Sequence, residues 1–192
     1  MPKKLAKRIP IKHTRPTKKF TIIRDVQEKS GNGWFLDSKI LEEDKSNWDI
    51  DVIIEHLPTG DYTLQGLEDF VCIERKGGVI EWSQNVTESR FERELIRLRD
   101  NIKYPYILFE FHVSSIINIE YERQKLRRKY HNKIKVGGLS GKAILQKTIE
   151  MTMDYNIPIF FCGARGEDMA LSILKRAFEY HKKSKKQRIS DD

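Results

Sequence analysis

The chain is expected to fold as an α/β protein, a mixed central sheet flanked by helices. Three observations support this. Strand-like runs crowd the first half, whereas helix, strand, helix, strand and helix alternate in the second. Residues 49–57 (DIDVIIEHL) alternate polar and apolar, the period of a half-buried strand. Residues 89–103 place Phe91, Leu95, Ile96, Leu98 and Ile102 at helical spacing.

The elements follow in order. The first 19 residues hold three prolines and no hydrophobic period, so a flexible basic arm is expected over 1–19. Residues 20–25 (FTIIRD) form a short strand ending in charge, and residues 31–33 (GNG) turn the chain. Residues 34–36 (WFL) lead into a helix or loop. The strand at 49–57, a Pro58-Thr-Gly60 turn, a short strand at 61–64, a connection at 65–69 and a strand at 70–76 make a hairpin-like meander. Residues 79–86 suit a short helix. The helix at 89–103 is expected to be capped by Ser89, with Glu92 at capping-box spacing. Residues 106–111 (YILFEF) and 157–162 (IPIFFC) are strands. Residues 140–155, with Ala143, Ile144, Thr148 and Met151 on one face, and 167–180 are helices. The domain is therefore expected over 20–181, with a helical or mobile basic insertion at about 113–139 and a charged tail at 182–192.

Charge is unevenly placed. The whole chain carries +8, and residues 1–19 alone hold eight Lys/Arg and no acid, so the remainder sums to zero. Within it, residues 37–74 carry eleven Asp/Glu against two Lys, a net of −9, and residues 121–135 carry seven Lys/Arg against one Glu, a net of +6. Basic clusters are the footprint expected of a phosphate-backbone ligand, though such runs also form plain solvated faces or tails. Cys72 and Cys162 lie in apolar runs and read as reduced core residues, which points to the cytoplasm, or the nucleus of a eukaryote. No CxxC or CxxH spacing suggests zinc, no run reaches membrane-spanning length, and the N-terminus lacks the apolar stretch of a secretory signal.

The chemistry concentrates at residues 72–78 (CIERKGG), where a buried strand ends in three charges. Alternate strand residues share a face, so Glu74 and Lys76 point one way, and Arg75 points the other with Val71 and Ile73. A hairpin brings Asp61 beside Glu74, and Asp25 ends another strand that can lie alongside, with Glu28 just beyond. Carboxylates so placed repel, and one keeps its proton unless a cation sits between them. A hard divalent ion with oxygen ligands answers that need, and it can activate water and neutralise a phosphodiester in transit. Lys76 beside it would orient the attacking water or stabilise developing charge. By itself an Asp…Glu-x-Lys spacing is equally compatible with structural ion pairs.

Gly60-Asp61-Tyr62 followed by Ile73-Glu74-Arg75-Lys76 resembles the GD…(V/I)ERK signature of the XPF-type structure-specific endonucleases. Asp25-Val26-Gln27-Glu28 is similar to that family's D-x-R-E element, with glutamine in place of arginine, and the resemblance runs over about residues 20–180. It implies a restriction-endonuclease-like fold and Mg²⁺- or Mn²⁺-dependent cleavage of branched, flapped or nicked DNA, the chemistry of DNA repair and recombination. It implies metal ligation by Asp61, Glu74 and the main-chain carbonyl of Arg75, a catalytic Lys76, and Asp25 completing the acidic site. The family's acid four residues after the lysine is replaced here by Ile80, with Glu81 one position later as a candidate substitute. With Gln27, this keeps open a nuclease-fold DNA-binding protein or subunit that cuts weakly. No helix-hairpin-helix pattern follows residue 180, and the arm, insertion and tail are expected to grip DNA instead.

Arg90 and Arg93, one turn apart, either contact phosphates or pair with Glu94 and Asp100; Arg123, Arg127 and Arg128 either contact the backbone or line a solvated helix. Trp82 packs in the core or stacks on a base. The glycines before Lys142 fail as a phosphate loop, because Ala143 stands where Ser or Thr is required, and read better as the start of a helix. A ribosome-associated or RNA-binding protein would account for the charge but not for the acidic cluster. A homodimer or heteropartner is compatible with the resemblance, as is a phage or mobile-element origin.

Overall fold

The computed structural model describes residues 18–28, 33, 34, 36, 48–131 and 137–190. Six strands form one sheet: β1 (Lys18–Asp25), β2 (Trp48–Glu55), β3 (Tyr62–Leu64), β4 (Val71–Lys76), β5 (Tyr104–Phe109) and β6 (Ile159–Phe161). Their spatial order is β2-β1-β3-β4-β5-β6. β1 runs parallel to β2 and antiparallel to β3, β3 is antiparallel to β4, and β4, β5 and β6 are parallel. The mixed sheet flanked by helices is the architecture expected from the sequence.

The meander is corrected in one respect. β3 and β4 form the expected hairpin, but β1 lies between β2 and β3, so β2 is an edge strand paired only to β1. β1 also begins at Lys18, inside the expected arm; the remaining arm residues, 1–17, lie outside the described residues, as do 31, 32, 35 and 132–136.

Between β4 and β5 run α1 (Val79–Asn85) and α2 (Ser89–Asn101); α3 (Val113–Ile117) and α4 (Ile119–Lys129) follow β5; α5 (Gly141–Tyr155) precedes β6, and α6 (Gly166–Ser190) ends the described chain. Ser89 is the first residue of α2 rather than its cap: Glu88 holds the cap position and no side chain caps the helix. Ser140 does cap α5, its Oγ accepting from the Ala143 N–H at 3.3 Å, so the glycine-rich stretch is the start of a helix. The described part of the basic insertion is helical, as α3 and α4. α6 continues to Ser190 because residues after Tyr180 are mostly Lys, Gln and Arg, good helix formers with no Gly or Pro to stop them.

The sheet separates two cores. One face packs Cys72, Ile107 and Phe109 against α1 to α5 through Trp82, Phe91, Leu95, Leu98, Ile116 and Ile144. The other packs Ile22, Tyr62, Val71, Ile73 and Leu108 against Ala170, Leu171 and Leu174 of α6. β4 thus alternates between the two cores, as its period requires. Trp82 is fully buried and donates from Nε1 to Thr148 Oγ1 at 3.0 Å, which makes it a core residue. Ile96, expected in the apolar stripe of α2, is exposed, and Cys162, expected in the core, is only partly buried. Among the described residues no helix is long and apolar enough to cross a membrane.

Candidate functional site

The site begins with the early end of β3. Pro58-Thr-Gly60 turns the chain into β3, and only glycine suits the turn. Gly60 has φ +69°, and a Cβ there would lie 2.2 Å from Cys72 Sγ. Glu94 of α2 holds this turn: its Oε1 accepts from the Gly60 N–H at 3.1 Å and from the Thr59 hydroxyl. Asp61 follows, its N–H bonded to Ile73 O at 2.8 Å as the last rung between the two chains. Beyond that rung β4 keeps its pairing with β5 but has no partner on the β3 side, and there the Asp61 carboxylate takes the place of a strand. Its Oδ2 accepts from the Arg75 N–H at 2.6 Å. In a strand the N–H and C=O of one residue point to the same side, so the Arg75 carbonyl also faces the Asp61 side.

Glu74 and Lys76 share the face of β4 that Cys72 occupies. Both are buried, and the Lys76 ammonium donates to Glu74 Oε1 at 2.7 Å while lying 4.6 Å from the centre of the Phe91 ring. Arg75 points to the opposite face. Its guanidinium reaches Glu28 at 3.3 Å and Glu110, and lies 5.5 Å from the Trp34 ring centre. Trp34 is anchored in turn, its N–H donating to the Tyr62 hydroxyl at 2.7 Å and its Nε1 to Glu110. The strand end that presents the acids is therefore clamped from behind.

The electrostatics match this enclosure. Burial, reinforced by the charge of Glu74, raises the Asp61 carboxyl well above its usual range. Burial likewise raises Glu74, against the pull of Lys76. Burial opposes the Lys76 charge, yet the adjacent Glu74 keeps this ammonium above its ordinary value. Glu28 is raised by burial despite its contact with Arg75.

These groups open into a polar cleft of about 380 Å³, walled by Asp25, Gln27 and Glu28 on one side and by Glu81, Arg90 and Arg97 on the other. Asp25 is buried there but is braced by main chain. Its Oδ1 accepts from the Leu57 N–H at 3.1 Å and lies 3.6 Å from His56 Nδ1, while its own N–H bonds Asp61 O at 2.8 Å. Among the described residues no three His, Cys, Asp or Glu side chains come together as a ligand set. Asp25, Asp61 and Glu74, the three acids expected together, nonetheless line the same cleft, as do Arg75 and Lys76. The oxygens that fit a hard cation are those of Asp61, Glu74 and the Arg75 main chain.

Glu81 lines the cleft from the first turn of α1. Arg90 lines it too, whereas Arg93 is exposed outside it. Glu94 pairs with Arg97 and Asp100 with Arg99, so those acids do not neutralise Arg90 or Arg93. Arg128 is exposed and Arg127 half-buried on α4. Arg123 is a correction: it is 1% exposed, donates to Leu139 O at 2.9 Å and to Glu120, and so is withdrawn from any phosphate. Sequence reasoning missed Glu94, Glu110 and Trp34 as supports of the site; each lies far along the chain from the residue it holds, and no local pattern marks it.

Comparison with known proteins bears on this arrangement. The model of the ERCC4 domain family matches residues 25–173. Among solved structures, XPF from Aeropyrum pernix is 18% identical, with a TM-score of 0.53, over 81% of this chain and 60% of that one. XPF from Aeropyrum pernix in complex with DNA is 19% identical, with a TM-score of 0.54, over 86% and 66% respectively. The chain therefore spans about two thirds or less of those proteins, and at such identity the likeness is one of fold. No curated protein matches.

Proposed function

This chain belongs to the ERCC4 domain family, and from that membership we propose that it is an endonuclease that hydrolyses phosphodiester bonds in branched, flapped or nicked DNA with Mg²⁺ or Mn²⁺. The observation that carries the reading is half-buried Asp61 beside the buried Glu74–Lys76 pair, all lining one open polar cleft.

Asp61, Glu74 and the Arg75 carbonyl would hold the cation, which supplies an activated water and neutralises charge on the phosphate. The chain's own contributions follow from the geometry. Lys76 is held by Glu74 and the Phe91 ring with its ammonium in the cleft, ready to donate to a non-bridging phosphate oxygen or to the attacking water. Arg75, fixed by Glu28, Glu110 and Trp34, aims its carbonyl through its main chain, and Glu94 fixes the turn that presents Asp61. Asp25 positions Leu57 through its carboxylate, which accepts from the Leu57 N–H, and Asp61 through its own main-chain N–H. Arg90 on the cleft wall, with Arg93, Arg127 and Arg128 outside it, supplies phosphate contacts that orient the duplex.

Cleavage of flap, fork and four-way-junction DNA with Mg²⁺ or Mn²⁺ tests the reading. Lys76→Ala is expected to lower the cleavage rate by about 10²–10³, the loss typical of one donor to developing charge, with DNA affinity nearly unchanged. Equal nicking by the parent and Lys76→Ala would overturn it. A second reading, a DNA-binding subunit with weak or no cutting of its own, is favoured by Gln27 and Ile80 at departures from the family pattern. It predicts metal-independent DNA binding with weak or no cutting by the parent.

A further inference from the structure

A second cavity, about 660 Å³ against about 380 Å³ for the cleft, lies on the α6 side of the sheet. Phe70 before β4 and Tyr104 and Tyr106 of β5 form one wall; Ile173, Tyr180 and Lys183 of α6 form the other. Three half-buried or exposed tyrosines and the buried Phe70 line it. Tyr180 is 55% exposed and stacks near Phe70 at 6.5 Å between ring centres, with Tyr104 edge-on at 6.0 Å. Tyr106 stacks with Phe160, itself 39% exposed, at 6.2 Å.

Cations surround these rings. Lys103 lies 5.5 Å from the Phe70 ring centre and 5.4 Å from that of Tyr104, and Arg176 and Lys183 border the cavity. Residues 175–185 carry five Lys/Arg and one acid, Glu179, which is already paired with Lys18 and Arg176. Flat exposed rings beside spaced cations match a polymer that offers planar bases and phosphates together. A duplex hides its base faces, so the match is to unpaired nucleotides.

Position supports this. Phe70 and Lys76 are six strand steps apart, about 20 Å along β4 at about 3.3 Å per residue. The cavity therefore sits at the far end of β4 from the acidic cleft, beside the opposite core. We infer that it is a second nucleic-acid site, one that stacks unpaired bases of a single-stranded DNA arm on Tyr180, Tyr106 and Phe160 while Lys103, Arg176 and Lys183 meet its phosphates. This rests on the reading of the chain as a DNA-processing protein, but it assigns DNA to a surface that reading does not use.

The test is fluorescence anisotropy of a labelled oligothymidylate and of a blunt duplex, with the full chain in EDTA so that metal-dependent cleavage plays no part. Tyr180→Ala is expected to weaken single-strand binding about tenfold, equivalent to about 1.4 kcal/mol, and to leave duplex binding within about twofold. Tyr180→Phe, which keeps the ring, is expected to bind within about twofold of the parent. If Tyr180→Ala does not fold, Lys183→Glu combined with Arg176→Glu on the same exposed helix face is expected to weaken single-strand binding at least as much. Unchanged single-strand affinity, or parallel loss for strand and duplex, overturns the inference. So does sedimentation in which Tyr180→Ala turns a dimer into monomers without changing strand affinity, since a second copy would then cover the face. A protein that binds the strand as expected but never cuts sinks only the catalytic reading. One that cuts but is indifferent to Tyr180→Ala and to the charge reversal sinks only this inference.

Discussion

Replacing Gly60 by alanine tests the foundation of the acidic site. Gly60 combines a left-handed backbone with a buried contact, since the new Cβ would lie 2.2 Å from Cys72 Sγ and 3.4 Å from Ile73 O. Gly66 supplies a control within the same hairpin: its φ is +75°, but nothing lies within 4 Å of an added Cβ. The backbone term, about 1–2 kcal/mol for an L-residue in this region, is common to both. The overpacking term, about 1–3 kcal/mol, belongs to Gly60 alone because Cys72 is buried and cannot step aside. Gly66→Ala should therefore lower Tm by about 2–8 °C and Gly60→Ala by about 4–20 °C, at about 2–4 °C per kcal/mol for a chain of this size. Calorimetry of both glycine variants, of Cys72→Ala and of Gly60→Ala combined with Cys72→Ala completes the cycle. Removing Sγ opens the space, so Cys72→Ala should cost less, or even stabilise, in the Gly60→Ala background. If Gly60→Ala melts no lower than Gly66→Ala, the turn is not packed on the strand as described, and the placement of Asp61 beside Arg75 fails with it.

Further outcomes follow from other parts of the structure. Arg123→Ala should destabilise the fold, because the guanidinium joins α4 to Leu139, yet leave the salt dependence of DNA binding unchanged. Arg128→Ala should do the reverse, with a log–log salt slope smaller by about 1 if it meets a phosphate; a parallel effect of both would refute the distinction. Glu110→Gln should leave the Arg75 guanidinium with Glu28 as its remaining carboxylate partner and lower stability by about 1–3 kcal/mol, measured by urea unfolding; an unchanged midpoint would show that the rear clamp is not needed. Both thiols are held above their ordinary value by burial, and Cys72, fully enclosed, well above it. Because the thiolate is the reactive form, a disulfide reagent at pH 8 should titrate Cys162 slowly and Cys72 only after unfolding; two fast thiols in the native protein would contradict the core assignment.

What the sequence disclosed and what it hid divide along chain separation. The alternation of β4 was legible because a period of two leaves no freedom: once Val71 and Ile73 face one core, Glu74 and Lys76 must face the other. The meeting of Asp61 with the end of β4 was legible because a short hairpin permits few registers. The insertion of β1 between β2 and β3 was hidden, since parallel pairing across a long connection leaves no local mark. The α2 cap was misplaced by one residue because Ser89 and Glu92 matched the spacing while Glu88 held the geometry. Asp25 was grouped with the acids from its position at a strand end, and it lines the cleft with them, whereas its bonds to Leu57 and its main-chain link to Asp61 are set by tertiary contacts that leave no local mark. The same holds for Arg123, whose basic neighbourhood suggested solvent and whose turn toward Leu139 buried it.

β3 is only three residues long, and that brevity shapes the molecule. Where it stops, the sheet has a notch one rung deep, and a carboxylate reaches across in place of peptide. Had the ladder zipped one step further, backbone would have met backbone, the gap would have healed, and the strand would be ordinary fabric. The acidic cleft here is a seam left unsewn.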